Sequence, residues 1–102
     1  MSVYMIIELE VEDRETYEEY VERVPAIVRK HGGRYLARGG DVTPLGGGWD
    51  PERVVLIEFE SAEQMERCFA SAEYLELAPL RERSTVSRSI AVEGWSPTDG
   101  PR

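Results

Sequence analysis

Two segments of this chain are apolar on both sides of an extended backbone, and that doubles the surface its fold must cover. Residues 3–11 read VYMIIELEV and residues 53–60 read RVVLIEFE. Side chains alternate across a strand, so Val3, Met5, Ile7, Leu9 and Val11 share one face of the first segment. Val55, Ile57 and Phe59 share one face of the second. The opposite faces carry Tyr4 and Ile6, and Val54 and Leu56, before turning acidic at Glu8, Glu10 and Glu58. A one-sided antiparallel sheet normally keeps its solvated face polar. Helices can cover one side here, which leaves the other in need of a cover. Burying each such side chain is worth about 1.5–3 kcal/mol, and two-fold pairing with a second copy is the simplest way to bury them. The pattern predicts a homodimer through the sheet face.

Helical signals separate the strands. Asp13 is placed to cap a helix with Glu15 in its first turn, and Tyr17, Tyr20, Val21, Val24, Ile27 and Val28 recur as one apolar stripe. Pro25 interrupts that stripe without ending it, so a kink is expected there. Gly32 can take the left-handed conformation that closes a helix. Arg34–Arg38 reads as a short strand, followed by a small hairpin extension over Val42–Leu45 and a loop through Gly46–Gly48 and Trp49. Ser61 and Gln64 have capping-box spacing ahead of a helix that buries Met65, Cys68 and Phe69. Ser71 caps a further short turn that is expected to stop before Pro79, and Val86–Glu93 is the last strand, with Val86, Arg88, Ile90 and Val92 on one face.

The order is a split βαβ unit used twice: an α+β, ferredoxin-like antiparallel sheet with two main helices on one face. Residues 1–94 form this single domain, and residues 95–102, WSPTDGPR, are too polar and turn-rich to pack and read as a flexible tail.

Charge and composition narrow the function. Twenty acidic residues against 12 basic ones give a formal net charge of −8, which disfavours nucleic-acid partners and anionic lipid. No apolar run is long enough to span a membrane, and no basic-then-apolar leader opens the chain. With one cysteine, Cys68, no intrachain disulfide can form. A cytoplasmic protein is the expectation. The single histidine, His31, excludes a multi-histidine metal site within one chain, and no metal or cofactor is expected.

Several short motifs occur in a fixed order: Tyr17, Tyr20, Val24-Pro25 and Gly32-Gly33-Arg34, then Arg38-Gly39-Gly40 and Trp49 ahead of Arg53-Val54-Val55. Ile57-Glu58-Phe59 and Ser71 with Glu73-Tyr74 before Leu80-Arg81 continue the series. In these motifs, over roughly residues 2 to 94, the chain resembles domain of unknown function family 1330. That family is similar in fold to the dimeric α/β barrels, which implies two ferredoxin-like sheets closed against each other. The family's chemistry is unassigned, so the resemblance implies no reaction.

Arginines at strand ends and beside glycine turns can clamp a carboxylate bidentately. Arg38, Arg53 and Arg81, with Trp49 and Tyr74, are therefore the candidate lining of a pocket for a small anionic or aromatic ligand. The competing reading pairs these arginines, and Arg88, with Glu8, Glu10 or Glu58. Glu8 and Glu58 are expected on the same sheet face, either as a close acidic pair or each neutralised by an arginine. His31 fits a helix C-terminus as well as it fits a general base. Ligand binding in each subunit is the reading these residues favour; the resemblance to the dimeric α/β barrels implies two alternatives, a cofactor-independent isomerase or monooxygenase, or a non-catalytic sensing or stress-related dimerisation module.

Overall fold

The computed structural model describes residues 1–101. Strand β1 (Val3–Val11) pairs antiparallel with β3 (Arg53–Phe59) on one side and with β4 (Thr85–Glu93) on the other. The short β2 (Arg34–Arg38) joins the free side of β3, giving the four-stranded order β2-β3-β1-β4. This is the ferredoxin-like α+β architecture that the alternation demands. The most two-sided segments, β1 and β3, are its two central strands.

Helix α1 (Arg14–Lys30) starts where Asp13 accepts the backbone N–H of Thr16 and ends in a Schellman closure. Gly32, at φ +82°, donates to the Arg29 carbonyl and Gly33 to that of Val28. The helix runs unbroken through Pro25. Proline has no amide hydrogen, so the carbonyl of Val21 loses its helical donor. The guanidinium of Arg38 takes that carbonyl instead, at 2.7 Å.

Ser61 caps α2 (Ala62–Ala70), and Ser71 both closes it and caps α3 (Ala72–Ser84). Two expectations need correction. The turn after Ser71 does not stop before Pro79 but continues as a 13-residue helix with Pro79 inside it. Pro79 would have bonded the carbonyl of Leu75, and both residues are solvent-exposed, so water can take that carbonyl. Val42–Leu45 forms no strand. Pro44 lacks a donor for a ladder, and Leu45 is 96% exposed, with no apolar face to bury.

All three helices pack on the side of the sheet that shows Leu9, Val55, Ile57 and Phe59, and these meet Tyr17, Tyr20, Val24 and Val28 of α1. Cys68 of α2 and Tyr74, Leu77 and Leu80 of α3 complete the core. The register places Ser87, Ser89 and Ala91 of β4 opposite Leu9, Ile7 and Met5. Small side chains therefore stand under the helices where large ones would be needed to fill the space. Among the described residues, α1, α2 and α3 leave the other face of the sheet uncovered. Beyond Glu93, Pro97–Asp99 makes one 3₁₀ turn, and the Trp95 indole donates to the carbonyl of Gly100. Among the described residues, no helix is long and apolar enough to cross a membrane.

Candidate functional site

The space left by the small residues of β4 is a cavity of about 690 Å³ between the sheet and the helices. Its floor is apolar: Met5, Ile7, Val55 and Ile57 from the sheet, with Val24, Met65 and Phe69 above them. Ser89 and Ala91 are solvent-exposed, so the chamber opens along β4.

Its polar groups gather at one end. Leu9 stands opposite Arg53 on β3 and opposite Ser87 on β4, which sets Arg53, Leu9 and Ser87 in one row across the sheet. Two strand spacings put the outer pair about 10 Å apart at the backbone. The first two turns of α1 bring Tyr17 and Tyr20 to this end of the cavity, and α3 brings Tyr74 from its first turn and Arg81 from its last.

The side chains form two linked groups. Arg53 donates through Nε to the Tyr17 hydroxyl at 2.9 Å and lies over that ring. This placement depends on Gly39 (φ +76°), because a Cβ there would fall 1.8 Å from an Arg53 guanidinium nitrogen. On the other side Arg81 donates through Nε to the Tyr74 hydroxyl at 3.2 Å and through its terminal nitrogen to Ser87 Oγ at 2.8 Å. The hydroxyls of Tyr20 and Tyr74 are 3.0 Å apart, and the Tyr17 and Tyr20 rings stack. A continuous aromatic bridge joins the two arginines. Arg38 stands at the rim over the Tyr35 ring.

Among the described residues no carboxylate forms an ion pair with these cations, although the Glu82 charge acts on Arg81 from a distance. Among the described residues, the ion pairs are Lys30–Glu73, Arg34–Glu58, Arg67–Glu63 and Arg88–Glu8, and none involves Arg38, Arg53 or Arg81. Burial, reinforced by the neighbouring Tyr74, pushes the Tyr20 phenol well above its ordinary value. Burial also raises Tyr35, to about 12, against the opposing pull of Arg38. Burial lifts the Cys68 thiol to about 11, so it is no nucleophile at neutral pH.

Of the residues singled out in the sequence, the structure brings Arg38, Arg53, Tyr74 and Arg81 together around this chamber. It does not bring Trp49, whose indole donates to Glu8 at 3.4 Å. Glu8 is also bound by Arg88 at 2.6 Å, and Glu58 by Arg34 at 2.7 Å. Glu8 stands opposite Val54 while Glu58 stands opposite Tyr4, so the two carboxylates share the bare face without forming a pair. His31 caps α1, its Nδ1 donating to the Ile27 carbonyl at 2.9 Å, and does not line the cavity. Tyr35 and Ser87 were not singled out. The readable signal was the run of small residues on alternate positions of the last strand.

The family described as Domain of unknown function (DUF1330) matches residues 2–95. No curated protein matches the chain. Among solved structures, a protein of unknown function from Rhodopseudomonas palustris superposes with a TM-score of 0.77 at 17% identity, over 94% of this chain and 84% of that one. A dimeric protein of unknown function with a ferredoxin-like fold from Bacteroides fragilis gives 0.67 at 14%, covering 91% and 96%. SnoaB, a cofactor-independent oxygenase from Streptomyces nogalater, gives 0.64 at 14%, covering 93% and 94%. At these identities the likeness is one of fold.

Proposed function

This chain belongs to DUF1330, and from that premise we propose that its cavity binds a small organic anion with an aromatic or otherwise apolar body. The observation carrying the reading is an apolar chamber rimmed by three arginines that have no carboxylate partner. Arg53 and Arg81 are half-buried, so each gives up part of its hydration without an ion-pair partner, and a ligand carboxylate or phenolate offsets that. Arg53, Arg81 and Tyr74 would meet the charged group, Arg38 would guard the rim, and the floor from Met5 to Ile57 would hold the body.

The test is a thermal-shift and calorimetric screen with aromatic and aliphatic acids. At least one acid is expected to raise the melting point and to lose affinity in the Arg53→Gln, Arg81→Gln double variant. If no acid binds at millimolar concentration, the reading fails.

The same proposal includes a homodimer through the bare sheet face. Tyr4, Ile6, Val54 and Leu56 sit there beside Val86, Ile90 and Val92 of β4, which are 56%, 64% and 47% exposed. An apolar surface of this kind marks an interface, and the Bacteroides fragilis relative in fold is described as dimeric. Sedimentation velocity at micromolar concentration decides it: a single monomeric species would refute the dimer. A reducing, cytoplasmic setting suits the one buried thiol.

An enzymatic version takes its support from SnoaB, a cofactor-independent oxygenase of the same fold. Oxygen uptake on adding a bound phenolic acid, abolished by Arg81→Gln, would separate it from plain binding or sensing.

A further inference from the structure

Three of the hydroxyls at the polar end of the cavity serve arginines as acceptors. The oxygens of Tyr17, Tyr74 and Ser87 each receive an arginine N–H. An oxygen used as an acceptor keeps its own hydrogen for another partner. Tyr17 and Ser87 have no acceptor for that hydrogen among the described residues. Tyr20 and Tyr74 own two hydrogens between them, and only one can lie in their mutual 3.0 Å bond. The other has no acceptor, whichever phenol carries it. Both phenols are buried, and a buried polar hydrogen without a partner is unfavourable.

Three hydroxyl hydrogens therefore point away from arginines at this end, beside the guanidinium N–H groups still unused. The one carboxylate of the wall, Glu66, lies on α2 and contacts none of the three arginines. The end of the chamber formed by Arg53, Tyr17, Tyr20, Tyr74, Arg81 and Ser87 gives hydrogens and offers no charged acceptor.

We infer that this constellation selects the oxyanion of a weak organic acid over its protonated or amino counterpart, and lowers the acid's own pKa on binding, its proton leaving to solvent. The inference rests on the cavity being a ligand site. Its chemistry is general: hydrogen bonds and positive charge directed at the ionised form stabilise that form, while an amino group meets guanidinium donors and finds no charged acceptor at this end.

A pair of similarly shaped probes tests it. 4-Nitrophenol reports its own ionisation by its visible absorption, and 4-nitroaniline replaces its oxygen by a donor group. Bound nitrophenol is expected to titrate about one pH unit or more below the free compound, a tenfold preference for the anion. Nitroaniline should bind at least roughly tenfold more weakly, the loss of a charge-assisted hydrogen bond. Tyr17→Phe and Ser87→Ala should each shrink the titration shift, a readout that a purely structural role for either hydroxyl would leave unmoved. Equal binding of the two probes, or a titration unmoved or raised, overturns the oxyanion selection while leaving the cavity a ligand site. If neither probe binds and no acid binds either, the ligand-site reading fails and this inference with it.

Discussion

The two faces of the sheet are both apolar along β1 and β3, yet they treat charge in opposite ways. On the bare face Arg88 is held by Glu8 and Arg34 by Glu58, and Trp49 adds a further bond to Glu8. On the helix-covered face Arg38, Arg53 and Arg81 meet only phenols, a serine and a backbone carbonyl. A surface whose charges are already matched can meet a copy of itself without stranding any of them. A chamber whose charges are unmatched suits a molecule that carries the missing negative charge with it. Hydrophobicity alone does not distinguish the two; the pairing of arginines does.

The contrast can be broken from either side. Ile6→Asp on the bare face should have the largest effect. It removes about 1.5–3 kcal/mol of burial from each subunit and adds a buried charge, so ultracentrifugation should show a monomer that still binds its anion. Next comes Arg81→Gln on the cavity face, expected to weaken anion binding by about 10–100-fold, the range of a charge-assisted hydrogen bond, with the dimer intact in the same measurement. Glu8→Gln should matter less. Partly exposed ion pairs contribute about 0–1 kcal/mol, so calorimetric melting should fall slightly and anion affinity should not change. Glu8→Gln weakening the anion as much as Arg81→Gln does would erase the distinction between faces.

The smallest effect at neutral pH becomes visible in alkali. Tyr20 and Tyr35 both have folded-state values raised above the ordinary 10.0. Below that value the phenols are protonated in both states and their contribution to stability is complete. Above it the unfolded chain loses protons first, so stability falls as pH rises. Denaturant melts should be level through neutrality with respect to these groups and decline from about pH 10. Tyr20→Phe should flatten the decline. An unchanged alkaline limb would show that the buried phenol does not carry it.

Much of the fold was legible because local rules and the global arrangement agree. Period-two apolar runs became the central strands, and Asp13, Ser61, Ser71 and Gly32 mark helix ends by hydrogen bonds that each residue's own chemistry provides. The failures lie where context decided. Pro79 is a helix breaker that α3 tolerated because it falls on the helix's exposed side. Val42–Leu45 has strand-like residues but nothing to pair with or pack on. Four of the five residues singled out as pocket lining meet around the cavity, because arginines beside glycines and strand ends are visible in one dimension. What joins them is not. That Ser87 and Arg53 flank Leu9 depends on the register of three strands from distant parts of the chain. Trp49 shows the same limit, since a loop tryptophan carries no mark of which side of a sheet it will lie on.

One absent hydrogen atom has reach beyond its helix. Pro25 leaves the Val21 carbonyl to Arg38, which tethers a rim arginine to the middle of α1. Pro25→Ala would hand that oxygen back to the helix and let the rim swing free. The setting of the cavity's doorway is thus written into the backbone of a neighbouring element rather than into the doorway itself.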